Sequence, residues 1–88
     1  MIEEEFIIKN KLGFHLRPVN KFVNIVSKYK SNIKIIKGDQ VADGKSVMDI
    51  LVLVIPSGEK IKVIVDGEDE NEAIVAIREF FNNFQNNL

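Results

Sequence analysis

At 88 residues, 45% apolar and 28% charged, the chain has the size and balance of one ordinary globular domain, read here as a single domain over residues 1–88. Twelve basic against thirteen acidic side chains leave a formal charge of -1, which gives no overall pull toward nucleic acid or an anionic membrane, so partners must be read by local patches. With no cysteine and one histidine, disulfides, thiol nucleophiles, cysteine zinc sites and histidine-rich metal centres are all excluded, and no cofactor or metal is expected.

The opening "MIEEEF" lacks the basic region and apolar run of a signal peptide, and the longest apolar run, Ile50 to Ile55, is too short to span a bilayer. A cytoplasmic protein without membrane insertion is expected. Residues 2 to 8 alternate imperfectly, with Ile2, Phe6 and Ile8 on one face, Glu3, Glu5 and Ile7 on the other, and Glu4 breaking the apolar side. That is a half-buried strand. After Gly13, Leu16, Val19, Phe22, Val23 and Val26 recur at helical spacing, predicting an amphipathic helix of about three turns. "SNIKIIKGDQV" reads as a strand through Ile33 and Ile35, a tight turn at Gly38-Asp39 and a short return near Val41.

The next apolar run could be a buried strand or a short helix. Ser46 with Asp49 three places on resembles a capping pair, and Pro56-Ser57-Gly58 is a turn, which favours a helix from about Val47 to Leu53. "KIKVIVD" alternates as a strand. The last segment carries Asp69 and Glu72 at capping-box spacing and a stripe of Ile74, Ile77, Phe81, Phe84 and Leu88, predicting a long helix. Helices with one apolar stripe and strands with one apolar face pack as two layers, a sheet covered on one side. Phe6, Ile8, Phe22, Ile33, Ile35, Val63, Ile77 and Phe81 are expected to share the core.

The lone histidine lies in "LGFHLRP", where Gly13 breaks the strand and the helix starts near Leu16. His15 therefore falls at or beside the N-cap. First-turn amides have no helical partner, and with the aligned peptide dipoles they attract an anion. Pro18 removes one amide that would have gone unpaired anyway, leaving those of Leu16 and Arg17, with the Arg17 guanidinium close by. A ring nitrogen with a free lone pair is nucleophilic, and the field there would stabilise a phosphoryl group once attached. A residue before proline avoids the helical region, so the helix could begin one residue later. On spacing alone, however, His15 is more simply a polar residue capping a helix. A Ser-His-Asp arrangement lacks a nucleophile elbow in so short a chain.

"GFHLRPV" resembles the active-site signature of HPr, the histidine-containing phosphocarrier of the bacterial phosphoenolpyruvate:sugar phosphotransferase system, whose usual form is Gly-(Leu/Ile)-His-(Ala/Thr)-Arg-Pro-Ala. "GKSVMDILVL" is similar to that family's Lys-Ser-(Ile/Leu)-Met segment and "VDGEDENEAIVAI" to its helix start, at matching separations over the whole chain. The resemblance implies an α+β open-faced β-sandwich, a four-stranded antiparallel sheet covered on one face by three helices. It implies that His15 accepts a phosphoryl group from Enzyme I and passes it to the IIA component of a sugar transporter, with Arg17 as phosphate partner. Such a protein is a phosphotransfer intermediate rather than an independent enzyme, expected here as a monomer.

Ser46 stands where firmicute members carry a regulatory phosphoserine, and Val47, Met48 and Leu51 resemble their docking patch. The partners so implied are a serine kinase or phosphorylase and a transcription regulator. A serine at a helix start is also simply a cap. The alternative function is a regulatory paralogue that acts mainly by protein binding through the Ser46 face. Four positions depart from the family pattern: Leu16 and Val19 replace small residues, Asn20 stands for a frequent alanine, and Val54 stands where a glycine commonly lies near the histidine. Bulk there is expected to narrow access to His15.

Overall fold

The computed structural model describes the backbone of residues 1–86 and the side chains of residues 1–84. The chain runs β1 (Ile2–Ile7), α1 (Leu16–Val26), β2 (Asn32–Lys37), β3 (Gln40–Asp43), α2 (Val47–Val52), β4 (Lys60–Asp66) and α3 (Glu70–Asn86). Every strand pairing is antiparallel, in the order β1-β4-β2-β3. All three helices pack on one face, which is the α+β open-faced sandwich expected from the sequence.

Period-two burial fixes the sheet faces. On β2, Ile33 and Ile35 are buried, and on β4 so are Ile61, Val63 and Val65. Register places Ile33 beside Val65 and Ile35 beside Val63, while Ile2, Glu4 and Phe6 lie opposite Val65, Val63 and Ile61. A one-residue slip would turn each of these to solvent, so the pattern itself specifies the register. The acidic break at Glu4 has a partner: Arg78 on α3 donates Nε to Glu4 Oε1 at 2.8 Å. Gly38 closes the β2–β3 hairpin at φ 60°, the positive dihedral that a two-residue turn needs at its first central position.

Of the expected core residues, Phe6 is half-buried, stacked on Phe81 at 4.5 Å between centroids, and the other seven are buried. Two details of the stripes differ. On α1, Leu16 is 54% exposed while Pro18 joins Val19, Phe22 and Val26 inside. On α3, Ala73 and Phe80 are buried beside Ile74, Ile77 and Phe81. Leu88 lies outside the described residues. Nor does α3 begin with a bond between Asp69 and Glu72. Asp69 instead accepts from Lys30 N at 2.7 Å, Ser31 N at 2.9 Å and the Ser31 hydroxyl, tying the entry of β2 to the start of α3. Glu70 reaches back to Gly67 N at 3.1 Å in the role expected of Glu72.

Candidate functional site

The loop from β1 into α1 is anchored on both sides before it reaches His15. Ile8 exchanges backbone bonds with the turn after α2, donating to Glu59 O at 2.9 Å and accepting from Gly58 N at 2.6 Å. Asn10, which is buried, accepts Leu12 N on Oδ1 and Gly13 N on its carbonyl, both at 3.0 Å. Gly13 follows at φ 75°, so close to the 54–56 segment that a Cβ on it would lie 2.5 Å from Ile55 O. Only glycine meets both demands. Phe14 N then donates to Ile55 O at 2.9 Å, and its ring is buried among Phe22, Phe80, Phe81 and Phe84. The residue after it has little freedom.

That residue is His15, the N-cap of α1, with extended backbone (φ -94°, ψ -174°). Its carbonyl accepts the first intrahelical bond from Val19 N at 3.0 Å. Its ring makes no capping hydrogen bond. The helix starts at Leu16, despite the restriction that Pro18 places on Arg17, so proline occupies the third helical position. The Leu16 and Arg17 amides therefore precede the first helical bond and project from the positive end of α1. Arg17 is exposed on that turn. An open groove of about 570 Å³ runs from His15 and Arg17 between α1 and α3, past Asn10, Lys21 and Phe80. Such a surface can receive an anionic group on a ring nitrogen and neutralise its charge with amides and guanidinium.

The bulk expected to crowd His15 divides in two. Val19 is fully buried and takes no part in access, while Asn20 is exposed on the helix; Leu16 and Val54 stand at the surface, 54% and 68% exposed. Val54 is in the left-handed region, φ 52°, where a β-branched side chain is disfavoured. Nothing in residue type announces this. A valine is the last residue from which positive φ would be read, and only its coincidence with the family's glycine position gave a hint.

Ser46 caps α2 as expected, its Oγ accepting Asp49 N at 3.2 Å. The reciprocal half of the capping box is missing: Asp49 Oδ2 lies 3.4 Å from Asp43 N. Of the patch expected beside it, only Met48 is exposed, at 70%; Val47 and Leu51 are half-buried against the core. The other exposed apolar side chains of this stretch are Val52 and Val54. Val52 was legible only as part of an undifferentiated apolar run. Lys37, whose Nζ bonds Leu53 O and Val54 O at 2.9 and 2.8 Å, carried no signal at all.

A family model described as the PTS HPr component phosphorylation site matches residues 2–83. The chain belongs to the HPr family. It is 40% identical over 83 residues to the phosphocarrier protein HPr of Xylella fastidiosa, covering 94% of this chain and 93% of that one. The histidine-containing phosphocarrier protein of Mycoplasma superposes with a TM-score of 0.92 at 32% identity, covering 96% of each chain. The Bacillus subtilis catabolite repression protein Crh, described as a dimer with a swapping domain, gives 0.74 at 25% identity over 94% of this chain and 95% of that one. Membership makes this chain an HPr phosphocarrier of the phosphotransferase system, with the general partners of that system, Enzyme I and IIA components. Among the described residues no helix is long and apolar enough to cross a membrane.

Proposed function

We propose that His15 is the phosphoryl acceptor and Arg17 its charge partner. A ring nitrogen of His15 attacks the phosphorus carried by Enzyme I, itself charged by phosphoenolpyruvate. A nitrogen–phosphorus bond forms as the bond to the donor breaks, and a IIA component later takes the group by the same displacement in its own direction. The observation that carries this reading is a histidine fixed by its backbone at the N-cap of α1, with its ring not spent on capping and the Leu16 and Arg17 amides beside it. Those dipoles act on charge already in place and need no rearrangement when the phosphoryl group arrives. On this reading the protein works in the cytoplasm, where its donor is available. Incubation with phosphoenolpyruvate and Enzyme I tests it: wild type gains one phosphoryl group, and His15→Ala gains none.

A second reading concerns Ser46 and is favoured by the exposed Met48 and Val52 on the helix that it caps. A serine kinase or phosphorylase would act on Ser46, and a transcription regulator would dock on this apolar face. The added charge would oppose an acidic partner while leaving His15 unchanged. In its strongest form this reading makes the chain a regulatory paralogue acting mainly by protein binding. Such a form has no need of His15, so loading on that residue separates the two.

A further inference from the structure

Val54 is the only non-glycine among the described residues with positive φ. A β-branched side chain keeps that conformation only where its surroundings over-determine it. Here Leu51 O accepts the Val54 amide at 3.1 Å, and on the carbonyl side the surroundings are one ammonium group. Lys37, at the end of β2, donates Nζ to Leu53 O at 2.9 Å and to Val54 O at 2.8 Å, 16 and 17 residues away in sequence. A lysine suits the task because its single nitrogen offers several donors and its charge meets carbonyls left unpaired where a helix ends. The next carbonyl along, Ile55 O, accepts Phe14 N at 2.9 Å, one residue before His15.

We infer that Lys37 is a positioning residue for the phosphorylation site, acting through Val54. Its ammonium holds Val54 left-handed, which keeps Ile55 O under the Phe14 amide and so sets the direction in which His15 leaves the loop. Freed of Lys37, Val54 relaxes toward negative φ and carries Ile55 O off Phe14 N. A glycine at position 54 would hold the same conformation unaided. The inference rests on the proposed role of His15 for its functional half, but its structural half does not.

The test compares Lys37→Met in two backgrounds, wild type and Val54→Gly, using the full chain. Two quantities are read: hydrogen exchange at the Phe14 amide against the core amide of Val63, and the rate of loading by phosphoenolpyruvate and Enzyme I, resolved into kcat and KM. With Val54 present, Lys37→Met should speed Phe14 exchange about tenfold, the equivalent of one lost charged hydrogen bond, leave Val63 unchanged, and lower kcat with little change in KM. In the Val54→Gly background the same substitution should alter neither quantity by more than about twofold, since no strain remains to be held. Unchanged Phe14 exchange, or equal losses in both backgrounds, would overturn the role of Lys37. Absence of loading in wild type would instead overturn the role of His15, so the two failures are read separately.

Discussion

On the proposed reading, His15 and Arg17 do different work from positions two residues apart: the histidine supplies the bond, and the arginine and two amides supply the field. Replacing Arg17 by Ala should therefore slow transfer while leaving the urea midpoint in place, because the side chain is exposed. Ser46 tests the second face. Ser46→Ala removes a cap worth about 1 kcal/mol, whereas Ser46→Asp keeps a capping oxygen and should leave stability unchanged or slightly raised. If the face is regulatory, Ser46→Asp slows association with Enzyme I and salt relieves the effect; equal rates for wild type, Ser46→Ala and Ser46→Asp would leave Ser46 as a cap. The places of all three at helix starts were legible because a short motif and a capping pair are local signals. Asn10 and Lys37 were not, since burial of an amide and a bond reaching 16 residues leave no trace in local pattern.

At the scale of elements, the start of α3 is held by a carboxylate rather than by a capping box. Hydrogen bonds from the Ser31 side chain first, then from the Lys30 and Ser31 amides, hold the Asp69 carboxyl below the usual aspartate range. Glu70 is lowered too, first by the Gly67 amide and then by the Met1 ammonium. A lowered folded pKa means stability that is present above the unfolded value, about 3.9 for aspartate, and lost as pH falls through the folded one. Asp69→Asn should therefore lower the urea midpoint at pH 7, and the gap to wild type should shrink as pH drops below about 4. A gap unchanged at low pH would mean that the Asp69 contacts do not depend on its charge. The spacing of Asp69 and Glu72 announced a helix start correctly, yet the bonds differ, because tertiary partners at Lys30 and Ser31 compete for the carboxylate.

For the whole molecule, one aromatic cluster joins the sheet, α1 and α3 to the loop that delivers His15. Phe81 stacks on Phe6 and touches Phe14, Phe22, Phe80 and Phe84. Truncating it to Ala should cost about 3 to 5 kcal/mol in a denaturation experiment, and a loss below about 1 kcal/mol would mean the cluster does not carry the core. Periodicity made the longer elements readable, since period two and period 3.6 differ plainly over segments such as residues 60–66 and 70–81, while α2 and β3 were legible from a capping pair and a turn. The sheet order β1-β4-β2-β3 has no such signature; it depends on which crossovers let every apolar face share one core. The proposal that His15 is the carrier is reached directly by one measurement. Incubated with phosphoenolpyruvate and Enzyme I, wild type should gain a single phosphoryl group that is lost in acid and kept in base, while His15→Ala stays unmodified. An acid-stable product, or loading that survives the alanine substitution, would contradict it.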